Sequence, residues 1–197
     1  KTDKTFSTGS WGTQADMNIG RNSNGTNGEL YIVYAKKADG TYGYLALQSL
    51  PAANNGKRQE VRVFYKWIDE SVDTPAEFAS GWSIEDSYVL QENWSAYSVI
   101  TVQNDGKIGF VWEESDTAWD IVYAGIDIST LTGGKYSAAF TKGIGSKQCP
   151  YEVATVEQAN AVNSVYKKEK VNWNFTGDAA GMEDAEVPEE TEVTYSY

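Results

Sequence analysis

Residues 95–113, SAYSVITVQNDGKIGFVWE, read as two strands joined by a tight turn. Val99, Thr101 and Gln103 alternate with Ile100, Val102 and Asn104, and Asn104-Asp105-Gly106 supplies residues that tolerate positive φ in a hairpin loop. Residues 107–112 return as a β-branched and aromatic run. Tyr97 opens the first strand and Glu113 closes the second. In an antiparallel pair the start of one strand lies beside the end of the other, so this phenol and this carboxylate are expected at one rim.

The same grammar extends outward. Residues 29–35, 42–47 and 59–67 are further strands, 82–92 holds another, and 120–128, DIVYAGIDI, follows the central hairpin. A short strand is expected at 15–19, and 69–81 is an acidic, proline-containing excursion. Turns recur at short spacing from 28 to 130 with no long helical period, the pattern of an antiparallel meander in a sandwich or in propeller blades. The character changes near residue 155. Thr155 and Gln158 fit a capping box, and Ala159, Val162, Val165 and Tyr166 follow at helical spacing, with Lys167, Lys168 and Lys170 at the end favoured by the helix dipole. One short C-terminal helix is expected over 156–169 and an edge strand over 172–176. From 177 the chain turns acidic and is expected to be a tail or linker, giving three segments: 1–150, 151–176 and 177–197.

Composition narrows the chemistry. The 197 residues carry a net charge of −12, which argues against a nucleic-acid partner, because phosphate binding needs clustered Lys and Arg. Histidine is absent, which removes Ser-His and Cys-His catalysis and imidazole metal sites together. Cys149 stands alone, so no disulfide forms within the chain and no thiolate cluster can hold a metal. What remains for catalysis is carboxylate, Tyr, Lys and Arg. No window is long and apolar enough to suggest a membrane span, and residues 1–10 lack the apolar core of a signal peptide. The chain is expected to start mature or in the middle of something larger.

The central stretch resembles the last catalytic segment of the sialidases, glycoside hydrolases built as six-bladed β-propellers. That family carries Tyr-Ser followed by a strand of the form DGxIGxLYE; here Tyr97-Ser98 precedes Asp105-Gly106-Lys107-Ile108-Gly109-Phe110-Val111-Trp112-Glu113. Upstream, the family places an Arg after SxP and a loop, and this chain has Ser49-Leu50-Pro51, a loop, then Arg58. The resemblance covers roughly residues 10 to 130. It implies an all-β fold, the C-terminal part of a propeller, that releases terminal sialic acid from glycans without a cofactor or metal. It further implies a secreted or cell-surface, bacterial-type enzyme.

Residue by residue, the resemblance makes Tyr97 the nucleophile, Arg58 one of three arginines clamping the substrate carboxylate, and Glu113 the group that orients another clamp arginine. The residue types suit the task. The anomeric carbon of sialic acid bears a carboxylate that repels an anionic nucleophile but not a neutral phenol. A phenol ordinarily titrates near ~10 and needs a carboxylate to take its proton. A guanidinium holds a carboxylate through two parallel hydrogen bonds. The proton acceptor falls in the region of Gln14 and Asp16: aligning Asp16 keeps a carboxylate there, whereas aligning Gln14 removes the base. Arg62 rivals Arg58, since strand parity puts the two on one face. The other clamp arginines and the general acid of the family come from segments that precede residue 1, so a completing N-terminal part is expected as partner. Without turnover, the same segment would serve a glycan-binding module.

Overall fold

The computed structural model describes residues 15–19, 26–53, 55–115 and 118–183. Six consecutive strands form an antiparallel meander: β1 (Glu29–Lys37), β2 (Tyr42–Pro51), β3 (Gln59–Ile68), β4 (Ser87–Val102), β5 (Ile108–Ser115) and β6 (Trp119–Ile126). A short seventh strand, β7 (Tyr136–Ala138), closes the far side of β1, giving the order β6-β5-β4-β3-β2-β1-β7. The fold is thus mostly β and antiparallel, and among the described residues the sheet is open rather than closed on itself.

The bend in β4 shapes the molecule. Its first half pairs with β3, ending at Gln59↔Trp94; from Trp94 onward it pairs with β5, beginning at Trp94↔Ser115. Register shifts flank this hand-over on both sides, and each extra residue sharpens the local twist. The sheet therefore folds into two units, β1–β3 with the first half of β4, and β5–β6 with the second half. They face each other across one core: Val33, Leu45, Leu47, Val61 and Val63 from the first, Ile100, Ile108, Phe110 and Trp112 from the second. Each such side chain contributes about 1.5–3 kcal/mol on leaving water. The strand alternation visible in the sequence places these residues on the inner faces.

The remainder covers the back of β1 and β2. Phe140, Val153, Val162 and Tyr166 form a second cluster with Tyr34, Tyr42 and Tyr44 of the sheet. It includes a parallel pair, β8 (Tyr151–Val153) with β9 (Trp173–Phe175), and a helix, here α3 (Val156–Ser164). The capping box at Thr155 and Gln158 is present. The helix ends at Ser164 rather than at 169, because Tyr166 leaves the helical path to bury its ring and donates its hydroxyl to the Gly43 carbonyl at 2.8 Å. Two further helices correct the expectation of a single one. α1 (Pro75–Ala79) lies within the acidic excursion, capped by Thr74 and Glu77, and α2 (Ile128–Leu131) truncates the strand expected to reach 128. No strand forms at 15–19: Asp16 Oδ1 accepts the Asn18 amide at 2.8 Å and Asn18 has φ of 57°, which makes a turn. Gly177–Ala179 forms a 3-10 turn with Ala179 buried, so the chain stays on the protein through this point.

Candidate functional site

The start of β1, the end of β2, the start of β3, the bend of β4 and the end of β5 converge on one rim, as the antiparallel meander requires. Tyr97 sits there just past the β4 hand-over, 40% exposed, between the buried Ala96 and Ser98. The Arg58 guanidinium carbon lies 5.0 Å from the centre of its ring. At a partly exposed site such a cation–π contact is worth about 0.5–1 kcal/mol, enough to bias the side chains toward each other without locking them.

The backbone that carries Arg58 is held in an unusual shape. Glu60 has φ of 60°, a left-handed conformation that costs a side-chain-bearing residue on the order of 1–3 kcal/mol. Its neighbours compensate. The Glu60 carbonyl accepts the Ala52 amide at 2.9 Å, and the Ser95 amide donates to the Arg58 carbonyl at 3.0 Å. Ser95, fully buried, accepts the Val61 amide on its Oγ at 2.9 Å and donates to the Asn93 carbonyl at 3.1 Å. The same kink breaks strand parity. Arg62 does not share the position of Arg58; its guanidinium pairs with the Glu60 carboxylate and donates to Ser87 Oγ at 2.9 Å.

Glu113 is half-buried on β5, on the same outward side as Tyr97, where the register skips between Ser95↔Glu114 and Ser98↔Trp112. Among the described residues it holds no ion pair. Its neighbour Glu114 points the other way and accepts from Gln91 Nε2 at 2.8 Å and Trp112 Nε1 at 3.0 Å. Inside the rim, Ser98 Oγ donates to Ser49 Oγ at 2.8 Å, tying β4 to β2, and Glu29 Oε2 accepts the Ile100 amide. Gly28 is needed beside this pair, since a Cβ there would come within 1.8 Å of the Ser49 carbonyl oxygen.

Asp16 is exposed and borders two hollows. One is shared with Ala76, Ala79 and Trp82 beside α1, the other with Thr26, Gly28, Gln48 and Leu50 at the end of β2. Tyr97 lines neither. The geometry therefore brings Tyr97 and Arg58 together, with Glu113 on the adjoining strand β5 at the register skip. Asp16 lines hollows beside α1 and the end of β2; Gln14 lies outside the described residues. Sequence reading missed Ser95, Glu60 and the Ser49–Ser98 pair. A serine in a strand carries no sign of burial, and Glu60 breaks the backbone rule that its residue type predicts.

A phenol under a guanidinium can bind an anionic group and present an oxygen nucleophile next to it. No family model matches the chain, and no curated protein or solved structure matches it significantly.

Proposed function

We propose that this chain is the C-terminal part of a sialidase-like β-propeller acting on terminal sialic acids of glycans outside the cell, completed by further blades contributed N-terminally. The observation that carries the reading is the contact of Arg58 with Tyr97 at an exposed rim, 39 residues apart in sequence and drawn together by a strained turn. The coarser architecture, a mostly antiparallel all-β meander, agrees with the reading, whereas β4 runs unbroken from one unit into the other and a propeller blade is a separate four-stranded sheet. In this reading the Tyr97 oxygen bonds to the anomeric carbon with net retention, and its proton passes to the carboxylate assigned to Asp16 or its neighbour. The aglycone leaves as an alcohol protonated by the general acid, Arg58 shares in holding the substrate carboxylate, and Glu113 orients a guanidinium from another blade. The general acid comes from outside this chain.

A second reading, a sialic-acid-binding module without turnover, draws on the position of Asp16. Asp16 lines hollows beside α1 and the end of β2 that Tyr97 does not line, and aligning Gln14 at the base position leaves no carboxylate to take the phenolic proton.

The test begins with binding. N-acetylneuraminic acid is titrated into the chain and followed by NMR, in parallel with its methyl ester. The acid is expected to shift Tyr97 and Arg58 resonances, the ester to bind at least about tenfold more weakly, and Arg58→Ala to remove the difference. Equal binding of acid and ester sinks both readings. A fluorogenic sialoside given to the longer polypeptide then separates them: product release supports the hydrolase, binding without release the module.

A further inference from the structure

A second constellation lies on the opposite face of the first unit, independent of Tyr97. Tyr31, Tyr34, Tyr44, Tyr151 and Glu169 line a hollow of about 420 Å³. Glu169 belongs to the lysine-rich segment after α3 and is half-buried, whereas Lys167, Lys168 and Lys170 beside it are exposed. Tyr34 donates its hydroxyl to Glu169 Oε2 at 2.9 Å, and Tyr44 donates to Oε1 at 2.6 Å. Burial first, and these bonds second, hold both phenols protonated far above their ordinary range.

A carboxylate has about four lone-pair directions, and the two phenols use two of them. Among the described residues no Lys or Arg pairs with Glu169. Lysines and Arg58 lie over Tyr42, Tyr65, Trp67, Phe78, Trp94 and Tyr97, but among the described residues none lies over the four tyrosines of the hollow. Tyr34 meets Tyr44 at 71° and Tyr151 at 58°, so these three rings stand at angles to one another, while Trp173 stacks on Tyr34 at 30° from outside the hollow's lining. Negative ring faces and a pre-oriented carboxylate together favour a large, weakly hydrated cation and repel anions.

We propose that this hollow binds an alkylammonium group, presented either by a free methylated amine or by a methylated lysine side chain. The methyl groups would lie against the ring faces, and the charge would be met by Glu169.

The probes are choline chloride and its uncharged isostere 3,3-dimethylbutan-1-ol, titrated into the full chain. Trp173, whose ring stacks 6.0 Å from Tyr34, provides the fluorescence signal. Choline is expected to bind at least about tenfold more tightly than the isostere. Glu169→Gln should abolish that preference while leaving isostere affinity unchanged. Tyr31→Ala, at a position 37% exposed and so tolerant of truncation, should reduce the preference and decides the matter if Glu169→Gln fails to fold. A trimethyl-lysine peptide binding more tightly than choline assigns the site to a side chain, and weaker binding assigns it to a free amine. Equal affinity for choline and isostere, or a preference that survives both substitutions, overturns the proposal and leaves Glu169 as a clamp between the C-terminal segment and the sheet.

Discussion

Tyr34 and Tyr97 are tyrosines of the same sheet, but the surroundings give them opposite characters. Tyr34 lies amid Tyr44, Phe140, Tyr151, Tyr166 and Trp173, with its hydroxyl spent on Glu169. Tyr97 is 40% exposed, carries a guanidinium over its ring, and stands at a rim whose backbone is strained. Burial turns the first phenol into a fastener, because an ionised oxygen there would be desolvated beside a negative charge. Exposure leaves the second available for chemistry. A phenol–carboxylate neighbourhood is therefore no mark of catalysis until its solvent access is known.

The largest effect that tests this contrast is alkaline unfolding. Burial raises Tyr34, Tyr44, Tyr151 and Tyr166 above the ordinary 10.0, with Tyr151 pushed up to about 12. Above pH 10 the folded chain holds these protons more tightly than the unfolded chain does, so stability falls as pH rises. The contribution is whole below that pH and drains away through the folded values. Phenolate absorbance and loss of far-ultraviolet circular dichroism should therefore rise together in one cooperative step. Gradual ionisation of every tyrosine with the fold intact would erase the distinction between the two regions.

A smaller effect is expected at the rim. Ser95→Ala removes the acceptor for the Val61 amide within a fully buried setting, which costs about 1–3 kcal/mol in a urea titration. It should also loosen the turn that carries Arg58, so the Tyr97 ring resonances should move toward those of an exposed tyrosine. Ser95→Ala with an unchanged midpoint and unchanged Tyr97 resonances would detach the strained turn from the site.

The meander was legible because inner and outer residues alternate: 29–35, 42–47 and 59–67 became β1, β2 and β3, each extended by a few residues. The hairpin of residues 95–113 also followed from its turn residues, and it appears as the second half of β4 paired with β5. Other features escaped for physical reasons. Residues 87–94 mix apolar and polar side chains and end in the exposed Glu92-Asn93-Trp94, so nothing in them announces that they continue into 95–102 as one strand. The capping residues Thr74 and Glu77 were present in the excursion, but a five-residue helix carries no period. Glu169 drew no attention among the lysines that follow the helix. Its partners Tyr34 and Tyr44 are 135 and 125 residues away, a separation that local pattern cannot bridge. Parity between Arg58 and Arg62 failed at Glu60, where the chain leaves the extended region altogether.

The smallest expected change in stability is the sharpest test of the comparison: one substitution, made at each tyrosine. Tyr34→Phe keeps the ring and removes a hydrogen bond to a half-buried carboxylate, so about 1.5–3 kcal/mol should be lost in denaturant titration. Tyr97→Phe keeps the ring beneath Arg58 and removes a hydroxyl from an exposed position, so its stability should stay within about 0.5 kcal/mol of the parent. Under the proposed hydrolase reading, sialoside hydrolysis by the chain joined with its proposed completing part is expected to respond in the reverse sense, surviving Tyr34→Phe and collapsing with Tyr97→Phe. A stability loss at Tyr97 equal to that at Tyr34 would show that its oxygen is a structural fastener too. Retained hydrolysis with Tyr97→Phe would remove that oxygen from the reaction, because phenylalanine has no atom with which to form the glycosyl–enzyme bond.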